Sequence, residues 1–444
     1  MPEPTTGAPT WRCPAGTVVG RGDGDVVRAT GIRYARAARF GEPTAQPPAV
    51  GPIDATSWAP ACPQPLTPQL DAVLSDPMGD LTYDEDCLRL SVTAPDGVPP
   101  GEALPVMVWI HGGSYTSAAG DAPIFDPAAL VAEQRVVVVA VTYRLGLLGY
   151  LGDGPDRPAN LGLLDQIEAL RWVHRNVAAF GGDPANVTVF GQSAGGDAVA
   201  HLMIAEGTEG LFARVIIQSA PLGISRNRAG MNAAMAREAR GIPADAPVSD
   251  VVAAQARVAA KARPYGLRAT MPFGTQYGRH PLPPEDAVDR AWEQVAGRVD
   301  VLVGYNDREV ALFVPAVPRL GRIFALPVLG PSVRRGLVAR LTRKVYGAGA
   351  GAFAARHRRG GGRGYHYVLS WGAPGSPYAG AHCVDLPLLF GRREAWEGAG
   401  LVAGATWEQI DSAGRELRRV WGEFARTGRT TPTTRPGLVA ISEI

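Results

Sequence analysis

Lysine is almost missing from this chain: Lys261 and Lys344 are the only two among 44 basic residues. Arginine supplies the rest, and 42 acidic residues leave a net charge of +2. Neither sign is in excess, so nothing argues for nucleic acid or an anionic membrane as a partner. Cysteine is scarce as well. Cys13, Cys62, Cys87 and Cys383 show no metal-ligand spacing, and in a reducing cytosol free thiols are the expected state. Cys62 and Cys87 could pair across a surface loop. Long apolar runs are lacking too. The longest β-branched run, "VVVVAVTY" (136–143), is far too short to span a bilayer. The first residues, "MPEPTTGAPTWRCPAG", carry no basic n-region and no apolar h-region. The expectation is a soluble, cytoplasmic protein without a signal peptide.

What is present suffices for a large core: 46% of residues are hydrophobic and 19% charged. A length of 444 residues suggests two or three domains, although a large α/β enzyme can use one. The runs "PVMVWI" (105–110), "VVVVAVTY" (136–143), "VTVFG" (187–191), "VIIQSA" (215–220), "VDVLVGY" (299–305) and "YHYVLS" (365–370) read as near-continuous apolar strands. Buried parallel strands look like this, because helices cover both faces of such sheets. Between them, "NLGLLDQIEALRWVHRNVAAF" (160–180) sets Leu163, Leu164, Ile167, Leu170 and Val177 on one side of a helix that stops at Gly181-Gly182. Strand-helix alternation predicts an α/β layered fold around one central sheet. The Ala-, Arg- and Pro-rich stretch 226–298 reads as a helical insertion or cap, and "RHRRGGGRG" (356–364) as a solvated basic loop. No internal repeat is present.

Chemistry enters with "GQSAG", Gly191 to Gly195, which follows the strand "VTVF" and opens the helical pattern "AGGDAVAHLMIA". A serine on a sharp strand-to-helix turn needs small neighbours, and Gly191, Ala194 and Gly195 provide them. Ser193 would then sit at a helix N-terminus, where free N–H groups favour a developing anion. Such a serine needs a base, and in the fold that uses this turn an acid and then a histidine follow it along the chain. His111 and His174 come too early. His201 lies within the helix after Ser193, His280 in the insertion, His357 in the basic loop and His366 inside a strand. His382, in "GAHCVDLPLLF" after the last expected strand, has the position of a base. The acid would come from "VDVLVGYNDREV", where spacing leaves Asp307 and Glu309 equally eligible. A second source of backbone N–H groups is the run "HGGSYT" (111–116) directly after the strand "PVMVWI".

These residues, with "DEDCLRLSV" (84–92), "VTYRLGLLGYL" (141–151) and the long stretch 160–196, resemble the type-B carboxylesterases, the family of para-nitrobenzyl esterases, mammalian carboxylesterases and cholinesterases. The resemblance implies an α/β-hydrolase fold in one domain: a mostly parallel twisted sheet, helices on both faces, and a reduced helical cap. It implies a serine carboxylesterase acting on a small-molecule ester, with no metal or cofactor. Position by position it makes Ser193 the nucleophile, His382 the base and Glu309, rather than Asp307, the acid. It assigns the oxyanion donors to Gly113, Ser114 and Ala194, places Gln192 and Ser219 beside the triad, and puts Cys62 and Cys87 where relatives carry a disulfide, which a cytosolic member can leave reduced. Four departures accompany it, one of them at Arg308 to Val310, where "REV" replaces the "DEG" of relatives. Gln192 stands where relatives carry Glu, Ser114 where they carry Gly, and the cap is trimmed, which implies a more open pocket. An acyltransferase or lactone-forming enzyme would use the same triad, and a binding protein on a dead hydrolase scaffold is the remaining alternative.

Overall fold

Runs of Val and Ile, stiff at χ1 and suited to a pleated surface, become strands of one eleven-stranded sheet. The structure, a computed structural model, describes residues 7–99, 101–314 and 330–444. In chain order the strands are β1 (Arg21–Asp23), β2 (Val26–Arg33), β3 (Arg89–Pro95), β4 (Leu104–Ile110), β5 (Val137–Val141), β6 (Gly182–Gln192), β7 (Arg214–Gln218), β8 (Asp300–Asn306), β9 (Gly364–Leu369), β10 (Thr433–Arg435) and β11 (Val439–Glu443). Across the sheet they stand in the order β10-β11-β9-β8-β7-β6-β4-β5-β3-β2-β1. The central strands β4 to β9 are mutually parallel. Both edges are antiparallel.

Every residue of β4 and β5 is buried, which requires cover on both faces. Alternate side chains supply two separate cores. On one face Val106, Val108, Ile110 and Val139 meet Leu163, Ile167 and Leu170 of helix α1 (Leu161–Asn176). On the other, Met107, Trp109, Val138 and Phe190 meet Leu417, Trp421 and Phe424 of the last helix (Trp407–Thr427). Each of these side chains contributes about 1.5–3 kcal/mol on burial. Helix α2 (Ala194–Leu202) follows β6 directly. Helices α3 (Ala229–Ala239), α4 (Val248–Ala260) and α5 (Val288–Val295) fill the stretch between β7 and β8. Among the described residues no helix is long and apolar enough to cross a membrane.

Two expectations are corrected. The basic stretch 356–364 is not a loop throughout: Arg356, His357, Arg358 and Arg359 form the last turn of helix α6 (Ala348–Arg359). Cations there complement the negative end of the helix dipole, so the charge that suggests a loop stabilises a helix end. The disulfide is also absent, since Cys62 and Cys87 are both free and fully buried thiols. Cys62 Sγ instead accepts a hydrogen bond from the Leu145 N–H at 3.3 Å, and both thiols pack as small apolar groups in the core.

The antiparallel edge is held by buried charge. Arg28, 1% exposed, projects from β2 and donates to Asp126 at 2.7 Å and Asp23 at 2.6 Å. Nearby, Asp121 accepts from the Ala59 N–H at 2.9 Å and the Ser91 hydroxyl at 2.8 Å. Desolvation pushes the Asp121 carboxyl up to about 6. A pKa raised by folding means that the fold favours the protonated form, so the stability it contributes is full below about pH 4 and lost as pH rises through about 6. We expect urea denaturation between those limits to show wild type losing stability relative to Asp121→Asn, whose amide oxygen accepts the same two bonds without charge. A pH-independent difference between the two proteins would contradict this.

Candidate active site

The chain runs from β4 to β5 on one side and then to β6 on the other, so the sheet order reverses between the paired strands β4 and β6. Open α/β sheets leave a crevice at such a switch point, outside the carboxyl ends of the strands. In register, Phe190 lies beside Trp109 and Gly191 beside Ile110. The serine turn after β6 and the glycine run after β4 therefore come out side by side.

Local backbone shows why the turn has its sequence. A Cβ on Gly195 would lie 2.0 Å from the Ile110 carbonyl oxygen, and one on Gly191 would lie 2.7 Å from it. Only glycine lets α2 start this close to the end of β4. Ser193 itself has φ 60° and ψ −124°, a conformation that costs a non-glycine residue of order 1–3 kcal/mol. Its N–H is fixed by the Gln218 carbonyl at 2.9 Å. Ala194 is the first residue of α2, where the helix offers its N–H no partner.

The glycine run is as constrained. Gly113 has φ 99°, and a Cβ there would meet the Ser117 carbonyl oxygen at 2.1 Å. Ser114 and Tyr115 follow at φ 56° and 59°, in the left-handed region that disfavours L side chains. Among the described residues, the N–H groups of Gly113 and Ser114 donate to no protein acceptor. Nor does the Ser114 hydroxyl make a hydrogen bond there. His111, stacked on Tyr143 at 4.3 Å, is driven by burial down to about 4 and so is a neutral part of the scaffold.

Strands β8 and β9 bring the remaining candidates to the same edge. Glu309 is fully buried; its Oε2 lies 2.5 Å from His382 Nδ1, and its Oε1 accepts from the Asn306 N–H at 2.7 Å. The His382 N–H in turn donates to the Glu309 carbonyl at 3.0 Å. Asp307 is exposed and turns toward Gly380, so the structure joins His382 to Glu309 and not to Asp307. On the other side of the ring, His382 Nε2 faces Gln192 Nε2 at 3.4 Å. Among the described residues, Ser193 Oγ makes no hydrogen bond to His382 within 3.5 Å. Free enzymes commonly hold such pairs long until substrate closes them.

Residues missed by the motif reading support this ring from behind. Asp385, fully buried three residues after His382, accepts from Gln218 Nε2 at 2.7 Å and from Asn306 Nδ2 at 3.3 Å. Burial first, and then the Glu309 charge, raises its pKa. Trp421 Nε1 donates to Gln218 Oε1 at 3.1 Å, tying the support to the last helix. Ser219, expected beside the triad, is fully buried next to Gln218, and among the described residues its hydroxyl makes no hydrogen bond. Proximity of Asp385 to His382 in "GAHCVDLPLLF" was the one available signal.

A small cavity of about 50 Å³ opens beside Gly112 and Gly113, walled by Gln64, Leu74, Phe125, Gln192, Cys383 and Leu386. Among the described residues, none of its lining side chains is charged. A much larger cleft of about 910 Å³ adjoins it across Met78 and Phe125, but it surrounds Arg28 and Asp126 and holds neither Ser193 nor His382.

Comparison with known proteins shows the family and the fold. The sequence model of the carboxylesterase family matches residues 9–321. A probable N-octanoylanthranilate hydrolase of Rhodococcus erythropolis is 37% identical over 435 residues, spanning 96% of this chain and 95% of that protein. The para-nitrobenzyl esterase of Bacillus subtilis (strain 168) is 32% identical over 484 residues, spanning 97% and 94%. A solved thermophilic para-nitrobenzyl esterase superposes with a TM-score of 0.82 at 28% identity, over 98% of this chain and 97% of that one. The chain has the α/β-hydrolase fold, is a carboxylic ester hydrolase, and belongs to the carboxylesterase family.

Proposed function

We propose that the reaction runs through an acyl-enzyme on Ser193. The observation that carries this reading is the buried Glu309–His382 pair, 2.5 Å apart, at the edge where the strained Ser193 emerges. His382 Nε2 accepts the Ser193 hydroxyl proton as Oγ bonds to the ester carbonyl carbon. The carbonyl electron pair moves onto oxygen, and the N–H groups of Gly113, Ser114 and Ala194 hold that oxyanion. Collapse expels the alkoxide, which takes the proton from His382. Water then attacks the acyl-enzyme, gives its proton to His382, and the acid leaves as Ser193 recovers its proton. Glu309 holds the imidazole tautomer and stabilises the imidazolium. Gln192 contributes an amide where a charge would otherwise lie, and Ser193 must displace it from Nε2 for reaction. The uncharged cavity beside Gly113 supports a small neutral group on the substrate.

One observation favours a second reading, in which the scissile bond is the amide of an N-acylated aminobenzoate. It is the 37% identity across 96% of this chain to a protein described as hydrolysing N-octanoylanthranilate. The same sequence of steps cleaves an amide, with His382 protonating the leaving amine. Parallel kinetics on a short-chain p-nitrophenyl ester and on N-octanoylanthranilate decide between them.

Ser193→Ala should abolish hydrolysis of either substrate, and a fluorophosphonate should label wild type at Ser193 as read by peptide mass. An inert wild type that leaves Ser193 unlabelled would overturn the proposal. Glu309→Gln should lower kcat by about 10³–10⁴-fold through the wrong imidazole tautomer, read in steady-state assays. Ser114→Gly retains the backbone donor, so turnover should stay within about threefold. Relief of the left-handed strain offsets the added freedom of glycine when unfolded, so its stability in urea should change by less than about 1 kcal/mol.

A further inference from the structure

The two groups of proposed oxyanion donors come from different parts of the chain, and one buried residue is bonded beside each: Asp197 through its backbone to Ser193 and through its carboxylate to Tyr115. Asp197 lies in the first turn of α2, 1% exposed, with its N–H on the Ser193 carbonyl at 2.9 Å. Its Oδ2 accepts from the Tyr115 phenol at 2.8 Å, and its Oδ1 accepts from the Ser225 hydroxyl at 2.5 Å. Tyr115 is fully buried and is the residue after Ser114. At its other end, the Tyr115 carbonyl accepts from the Gly146 N–H at 2.7 Å, while its ring packs on Tyr150 at 4.3 Å. Ser225 belongs to the segment that leads into α3.

We propose that Tyr115 and Asp197 form a clamp that fixes the Ser114 N–H relative to the Ala194 N–H, and so preorganises the oxyanion hole. This rests on the acyl-enzyme reading above. Ser114 and Tyr115 both hold positive φ, a conformation that persists only where surrounding contacts over-determine it. The phenol supplies that constraint at a distance from the peptide it orients. Burial and the Asp197 charge keep the Tyr115 phenol protonated and therefore a donor. Asp197 rides on the helix that begins with Ala194, so any shift of one donor is passed to the other. Electrostatic stabilisation of an oxyanion depends on donors being in place before charge develops, because reorientation during the reaction costs part of the gain. Tyr115 and Asp197 are thus positioning residues and touch no reacting atom.

Tyr115→Phe removes one oxygen from a well-packed ring and is the primary test. Rates are expressed per active site, counted by fluorophosphonate titration, with a short-chain p-nitrophenyl ester as substrate. We expect kcat to fall by about tenfold, a fraction of the loss seen on deleting a whole donor, with KM little changed. Affinity for an alkyl trifluoromethyl ketone, which adds to the serine as a tetrahedral oxyanion, should fall in the same proportion. Asp197→Asn should behave alike, and the double variant should be no slower than the slower single one, because both act through one contact. A role in folding alone would lower the active fraction or the melting temperature while leaving kcat per titrated site and ketone affinity at wild-type values. That result overturns the clamp, and so does strict multiplication of the two single effects. An inert, unlabelled wild type instead removes the acyl-enzyme reading on which the clamp rests.

Discussion

The close approach of the helix after β6 to the end of β4 is the constraint on which the site depends. With a Cβ on Gly195 only 2.0 Å from the Ile110 carbonyl oxygen, any other residue would push α2 away from the sheet. Ser193 would then move away from the glycine run that ends β4. Parallel pairing in register, Gly191 beside Ile110, sets the height at which both emerge. The sheet's change of direction between these strands leaves room above them. Strain at Ser193 is thus held by main-chain packing, with its N–H on the Gln218 carbonyl.

Several buried charges in this protein are paired or hydrogen-bonded, which offsets the cost of desolvation. Arg144 and Asp165 meet in two bonds of 2.7 and 2.8 Å. Arg28 has two carboxylate partners, and Asp197 accepts from two hydroxyls. The Glu309, Asp385 and His382 group follows the same rule. Two carboxyl groups near one imidazole would repel if both were charged, and the rise in the Asp385 pKa relieves this by favouring its neutral form. The side of the ring facing the cavity carries no charge, since Gln192 is an amide.

Much of this was legible in the sequence. The six apolar runs are β4 to β9, because strands covered on both faces need no polar alternation. Helix α1 was legible from its spacing. The edge strands were not: "RGD" in β1 and "TTR" in β10 carry no apolar signal, and β2 buries an arginine that reads as surface until its partners are known. Among site residues, the Gly-x-Ser-x-Gly turn announced itself through its neighbours. Asp307 and Glu309 could not be separated by spacing, because which carboxylate faces inward depends on how the chain turns after β8.

The sequence by itself determined the elements that rest on local periodicity and on glycine: the central strands, α1, the serine turn and the run after β4. Those signals lie within a few residues of one another, where sterics alone decide. Tertiary structure decided everything that joins distant segments. It turned Glu309 rather than Asp307 to His382, and made Gln218 a partner of Asp385. It also set the Tyr115 phenol on Asp197 and left Cys62 and Cys87 as packed thiols. Such contacts span tens to hundreds of residues, and direction and distance across a folded core exist only after the sheet has fixed where each strand ends.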